Sequence, residues 1–371
     1  MSTKIVLATP LFPPEIGGPA THAKFVSEEL SKIDFDITVV PFSSVRKYPK
    51  IIRHFMYFRK LISASKDVDI IYALDPVSVG LPAAFAARKL HKKFILRVAG
   101  DYAWEQGVQR FGVKDNLDVF LDGEKRYWLP VRILRRIQTF VAQRADAIIV
   151  PSDYFKTVIG RWGVLAKISV IYSAIEPLPA QSKADARRTL QISDDVKLIV
   201  SAGRLVPWKG FPKLIDIFAA LKKDIPTMQL RIVGDGPERA SLQEKITRLG
   251  LQDSVTLTGS VPQEDLACFI SAADVFVLNT QYEGLSHQLI EVMQMGAPIV
   301  TTSVGGNVEL ITDDVSGLLV SPDSIQEMKD AVNRLLSDDA LAQRLVAGAR
   351  QTLGKFSPEV SLAQLKEILQ K

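Results

Sequence analysis

The sequence predicts an α/β chain built as two doubly wound, Rossmann-like domains facing a central cleft, and three observations predict it. Short apolar runs rich in β-branched residues alternate with helical stretches, the rhythm of parallel strands covered on both faces. That rhythm occurs twice, on either side of a polar stretch at residues 177–195 that contains two prolines, two serines and several charges. A chain of 371 residues also exceeds what one hydrophobic core usually supports.

In the first half the expected strands are residues 4–8, 37–41, 70–73, 94–98, 147–150 and 168–171. Between the first two, residues 21–32 place Ala23, Val26 and Leu30 on one face and Glu28, Glu29 and Lys32 elsewhere, as an amphipathic helix would. The hinge is expected in the polar stretch, which includes a short helix at 184–190. This divides the chain into domains at 1–180 and 181–356. The second strand series is 197–201, 229–233, 255–258, 275–278, 298–301 and 317–320, with helices expected at 211–222, 238–249, 263–272, 286–295 and 324–337.

Composition bounds the function classes. The longest stretch free of Asp, Glu, Lys and Arg, residues 292–308, holds three glycines and a proline and is not a membrane span. The opening apolar run is stopped by Pro10, too soon for a secretory signal core. With one cysteine, Cys268 among apolar neighbours, a disulfide framework is excluded and a packing role is the plain reading beside a catalytic thiol. The chain reads as cytoplasmic, with a peripheral position on the inner membrane face open to it. The net charge of +5 hides an asymmetry: residues 1–185 hold 27 Lys+Arg and 18 Asp+Glu, and the remainder hold 19 and 23. A first half at +9 suggests an anionic partner. No helix-turn-helix, aromatic RNA-binding signature or zinc spacing supports nucleic acid as that partner.

Ligands of doubly wound sheets bind beyond the carboxyl ends of the strands, so chemistry belongs just after them. After the first strand, Gly17 and Gly18 precede a helix, where backbone N–H groups can approach a phosphate; a plain turn fits the same residues. After the first strand of the second domain, Arg204 and Lys209 share a loop with Gly203 and Gly210. A guanidinium and an ammonium so placed can clamp a diphosphate, whereas two solvated surface cations are the bland alternative. Gly234 and Gly236 follow the next strand without the third glycine of a dinucleotide fingerprint. Residues 280–296 carry Glu283 and Glu291 around Gly284, Leu285 and Ser286, which lead into a helix. Its N-terminus is an anion site, and two carboxylates there can accept from sugar hydroxyls; acid merely enriched at a helix start is the other reading.

Together these pieces resemble glycosyltransferase family 4, the retaining enzymes of the GT-B fold. The matching stretches are GGPATHAKF, PSDYFKTVI with ISVIYSAIE, AGRLVPWKG, LRIVGDGPE, VTLTGSV, the Glu283 to Glu291 pair, and GAPIVTTSVGGNVELI with GLLV, in order along nearly the whole chain. The resemblance implies that Arg204 and Lys209 hold the donor diphosphate, Glu291 the ribose and Glu283 the transferred sugar. Gly284, Leu285 and Ser286 would face the sugar and distal phosphate, Gly234 and Gly259 to Val261 would border the base, and Gly18 would meet the phosphate from the first domain. A terminal helix at 357–371 would cross back onto the first domain.

Two places depart from the family pattern. Where many members carry a histidine after the fourth strand, this chain reads LRVAGDYAWEQG, which moves that duty to Asp101 or a neighbour. The loop that often reads Asn-Gly-Val-Asp is here Ser173, Ala174, Ile175 and Glu176.

The function expected is retaining transfer of a hexose from a GDP- or UDP-sugar to a glycan or lipid-linked acceptor. Arg204, Lys209 and the helix N-terminus would balance the leaving diphosphate, so neither a cofactor nor a metal is expected. A nucleotide-sugar epimerase, a sugar-phosphate synthase or a nonenzymatic nucleotide-sugar binder would share the donor residues. Finally, residues 46–66 hold seven cations, no acids and interleaved apolar residues, a basic amphipathic helix suited to an anionic membrane surface. The same apolar residues can instead pack on the first domain.

Overall fold

The computed structural model describes every residue except 1, 16, 17, 50, 51, 124–126, 165, 176, 177, 180 and 323. By its contacts the chain divides into one unit of Met1–Ala174 with Pro358–Lys371, and a second of Ile175–Ser357. Each is a six-stranded sheet with helices, and all strand pairs are parallel.

In the first unit the chain runs β1 (Thr3–Thr9), α1 (Gly18–Ser31), β2 (Phe35–Pro41), α2 (Arg53–Ala64), β3 (Ile70–Ala73), α3 (Gly80–Leu90), β4 (Lys93–Arg97), α4 (Tyr102–Arg110), α5 (Leu117–Asp122), α6 (Leu129–Ala142), β5 (Ala147–Val150), α7 (Asp153–Gly160) and β6 (Lys167–Val170). The strand order β2-β1-β3-β4-β5-β6 puts the reversal of winding between β1 and β3. The inner strands are continuous apolar runs because both faces are covered: all four residues of β3 are buried. Ile5, Leu7, Val26, Leu30, Tyr72 and Ile95 share one core with Leu365 and Leu369 of the terminal helix.

The second unit runs α8 (Lys183–Thr189), β7 (Leu198–Ala202), α9 (Phe211–Leu221), β8 (Gln229–Val233), α10 (Arg239–Arg248), β9 (Val255–Gly259), α11 (Gln263–Ala272), β10 (Val275–Leu278), α12 (His287–Met295), β11 (Ile299–Thr302), α13 (Asn307–Leu310), β12 (Leu318–Val320), α14 (Ile325–Ser337) and α15 (Asp339–Thr352). Its order is β12-β11-β10-β7-β8-β9, so the winding reverses between β7 and β10. The chain then returns to the first unit as α16 (Pro358–Gln370), where Ser361 donates to the Tyr172 carbonyl at 3.0 Å.

In the second half of the polar stretch at 177–195 the expected short helix forms as α8 and is tied to the second unit. Arg187 of α8 is buried and donates to Asp274 at 2.6 Å and to the Val196 carbonyl at 3.0 Å, and Lys183 meets the same Asp274 at 2.7 Å. Cys268 packs there too, its thiol 3.6 Å from the Ala186 carbonyl and its pKa pushed up by burial. Residues 46–66 are not one helix. A 3-10 turn covers Phe42–Val45 and α2 starts only at Arg53, whose guanidinium donates to the carbonyls of Tyr48 and Arg46 at 2.8 and 2.9 Å. Proline at 49 lacks the N–H that a helix interior needs; Lys50 and Ile51 lie outside the described residues. The helix sends Tyr57 and Leu61 into the core, as the packing reading expects of part of the segment, and leaves Phe55 exposed.

Candidate functional site

The crevice expected at the carboxyl ends of the strands, where winding reverses, falls in the second unit between the loops after β7 and β10. Lys209 comes from the first loop and Glu283 from the second. They form an ion pair, with each side chain 10% exposed. Removing one partner of such a buried pair strands the other charge, which costs about 3–5 kcal/mol. The loops that carry them are tied by polar side chains: Asn279 donates to the Gly210 carbonyl at 3.1 Å, Thr280 to the Trp208 carbonyl at 3.0 Å, and Thr302 to the Thr280 carbonyl at 2.6 Å. Trp208 is buried beside Lys209, as expected for a loop fixed by packing.

Glycines let neighbouring loops close on this crevice. Gly234, after β8, has φ +138°, and a Cβ there would lie 2.0 Å from the Gly203 carbonyl oxygen. Its N–H donates to the Gly259 carbonyl at 2.9 Å. Gly203 in turn lies against the Lys209 side chain, with an ideal Cβ 3.6 Å from Cε. On the far side, Gly305 and Gly306 press on the turn that carries Glu283. Cβ atoms would come within 2.1 Å of the Glu283 carbonyl oxygen and 2.4 Å of that of Gly284, and the Gly306 N–H donates to the Glu283 backbone carbonyl at 3.0 Å. The sequence reading matched this glycine pair without giving it a task. Their invitation to close approach was the available signal.

Ser286 is fully buried and caps α12, its hydroxyl accepting from the Leu289 N–H at 3.3 Å. Glu291 follows in the second turn. Its Oε2 is buried without a hydrogen-bond partner among the described residues, and burial raises its pKa to about 7. A carboxylate without a donor is poised to accept from a hydroxyl brought by a ligand. Arg204 is exposed on the β7 loop. The arrangement therefore offers two cations and a helix N-terminus to an anion, and two carboxylates to hydroxyls.

The structure brings Lys209, Glu283, Gly284, Gly234 and Gly259 together. Leu285 is buried beside Ser286, and Val261 is half-buried in the loop after β9. Gly18 is the first residue of α1 in the other unit, and Gly17 and Glu176 lie outside the described residues. Asp101 is corrected. It is fully buried as the cap of α4, and its carboxylate accepts from the Trp104 N–H at 2.9 Å, from Gln138 at 3.1 Å and from the Trp162 indole at 3.1 Å. Three donors occupy it, so it braces the first unit instead of facing a substrate. The sequence reading found no Asp-x-Asp metal motif; the chain does contain that spacing at Asp34/Asp36 and Asp67/Asp69, but these pairs sit at the amino ends of β2 and β3, away from the carboxyl edge.

Comparisons with known proteins bear on the family and the fold. The model described as Glycosyltransferase Family 4 matches residues 20–177, and that described as Glycosyl transferases group 1 matches 182–352. An alpha-D-kanosaminyltransferase of Streptomyces kanamyceticus is 37% identical over 156 residues, covering 42% of this chain and 40% of that protein. A GDP-mannose-dependent alpha-(1-6)-phosphatidylinositol monomannoside mannosyltransferase of Mycolicibacterium smegmatis is 27% identical over 259 residues, 67% of this chain and 68% of that one. The matches to the first relatives span 40% to 50% of their lengths, about half. Among solved structures, Anabaena Alr3699/HepE in complex with UDP-glucose shares the fold with a TM-score of 0.80, at 20% identity and 99% coverage of both chains. The two family models, end to end, take in nearly all of both units, and the chain belongs to glycosyltransferase family 4, with a group 1 glycosyl transferase region as its second half.

Proposed function

We propose that this chain is a retaining glycosyltransferase that moves a hexose from a GDP- or UDP-sugar to an acceptor hydroxyl in the synthesis of a glycolipid, a polysaccharide or a cell-envelope glycan. The observation that carries the reading is the β7–β10 crevice, where Lys209 and Glu283 pair, with Arg204 exposed on the same β7 loop and the Oε2 of Glu291, in α12, buried without a partner among the described residues. The names of two similar proteins, one GDP-mannose-dependent and one bound to UDP-glucose, support a nucleotide-sugar donor.

In this reading Glu291 accepts from ribose hydroxyls, while Glu283, held in place by Lys209, accepts from hydroxyls of the transferred sugar. Gly234, Gly259 and Val261 border the base. Arg204, the remaining donors of Lys209 and the N-terminus of α12 oppose the charge that grows on the departing diphosphate. The acceptor oxygen attacks the anomeric carbon on the face the phosphate leaves; the carbon–phosphate-oxygen bond breaks, and the departing phosphate oxygen takes the acceptor's proton. In this reading no cation is needed, because Arg204, Lys209 and the N-terminus of α12 carry the charge of the leaving group. Incubating the protein with labelled UDP- and GDP-hexoses, a lipid extract and a chelator should give labelled product at the rate seen without chelator. Loss of product restored by magnesium or manganese would contradict the assignment of the leaving-group charge to Arg204 and Lys209, and donor binding without product would make the chain a binding protein.

The first unit is the acceptor side and meets an anionic membrane surface through residues 46–66. Among the described residues no helix is long and apolar enough to cross a membrane. Sedimentation should show binding to anionic vesicles and not to neutral ones, weaker at high salt and weaker still with Arg59 and Lys60 changed to Ser; equal absence from both would favour a soluble acceptor.

A further inference from the structure

A groove of about 650 Å³ runs between α2 and α3, outside the donor loops and within the size range of ligand pockets. Phe55 and Phe58 of α2 face Leu81, Pro82 and Phe85 of α3 across it. Phe55 is 60% exposed and Phe85 44%, so two large rings remain in water on one concave surface. Single exposed apolar residues are ordinary, but a contiguous exposed apolar lining marks a binding surface.

Charge identifies the occupant. Neither α2, RHFMYFRKLISA, nor α3, GLPAAFAARKL, holds an acidic residue. Arg88 and Lys89 line the groove at the C-terminal end of α3, about 10 Å along the helix from Leu81. Arg59 and Lys60 are exposed on α2. Two copies of so cationic a face repel each other, which disfavours a second copy of the chain. An apolar trough ending in cations suits a molecule with an apolar chain and an anionic head. The cationic end lies toward the amino edge of the sheet, because α3 starts at the carboxyl end of β3. The head is therefore held away from the edge where an acceptor hydroxyl would react.

We propose that this groove seats one acyl chain of an anionic membrane phospholipid, with its phosphate at Arg88 and Lys89, as an anchoring lipid distinct from the acceptor. The proposal rests on the membrane-surface reading of the first unit. The test is calorimetric titration of the full chain with hexyl, octyl and decyl phosphate below their micelle concentrations, paired with vesicle sedimentation. Affinity should rise by up to about fourfold for each added methylene that enters the groove. The double variant Phe55→Gln, Phe85→Gln should lose that dependence while remaining folded by circular dichroism, with a melting temperature only slightly lowered by loss of the Phe85–Phe140 ring contact at 5.8 Å; Phe55→Gln alone, at the more exposed ring, should weaken the dependence with the melting temperature unchanged. Arg88→Ser with Lys89→Ser should weaken decyl phosphate and bring it level with decyltrimethylammonium. Affinity independent of chain length overturns the groove, and leaves the membrane-surface reading standing if anionic vesicles still bind. Chain-length dependence without vesicle binding removes the phospholipid. Wild-type self-association abolished by the Phe variant would give the groove to a second copy.

Discussion

Replacing Arg204 by Ala should lower turnover by roughly 100-fold or more while leaving stability unchanged. The asymmetry follows from its position. Arg204 is exposed on the β7 loop, so its removal strands no buried charge, and surface changes of this kind stay within about 0.5 kcal/mol. Its work is electrostatic: a planar guanidinium beside a leaving diphosphate opposes charge that is larger in the transition state than in the bound donor. Steady-state kinetics and a melting curve on the same sample check both halves. Lys209→Ala contrasts with it, because the neighbouring Glu283 is then left buried and unpaired, and this variant should lose stability as well as activity.

Glu291 should couple donor binding to pH. Burial raises its pKa to about 7, against an ordinary value of 4.5. The folded state thus holds a proton that the unfolded chain has released between these two values. Its contribution to stability is fully present below pH 4.5 and is lost as pH rises through about 7. The difference corresponds to about 3 kcal/mol. Glu291→Gln removes the titration, so the variant should lose less of its melting temperature than the wild type between pH 5 and 8. Ribose hydroxyls donating to the carboxylate favour its charged form, and nucleotide affinity should therefore strengthen by about tenfold from pH 6 to pH 8. Glu291→Ala, which removes a hydrogen bond to a charged group, should weaken the nucleotide by about 1.5–3 kcal/mol.

The strands were legible because parallel strands buried on both faces are written as short apolar runs; all twelve expected positions carry one. Most helices of the second unit were legible, but α13 and the longer α15 were not anticipated. Those of the first unit were not all so: α3 buries Ala83, Ala84, Ala86 and Ala87 and shows no polar stripe. Its groove with α2 depends on two helices separated by β3, which periodicity along one segment does not report. At the donor loops, residue types and spacing indicated Arg204, Lys209, Glu283 and Glu291. Their pairing was out of reach, since Lys209 and Glu283 are 74 positions apart. Asp101 shows the converse: a carboxylate after a strand reads as reactive until Gln138 and Trp162, 37 and 61 positions away, are seen to hold it.

The most direct test of the central claim, that the β7–β10 crevice of the second unit binds a nucleoside diphosphate sugar, is calorimetric titration of UDP, GDP and their hexose conjugates at pH 6 and pH 8, in buffers of different ionisation enthalpy, into the wild type and Glu291→Gln. The account predicts that one of the two nucleotides binds the wild type with proton release near neutral pH, that its hexose conjugate also binds, and that Glu291→Gln binds more weakly without releasing a proton. Wild-type protein that binds neither nucleotide, or binds one with no change in Glu291→Gln, would contradict it.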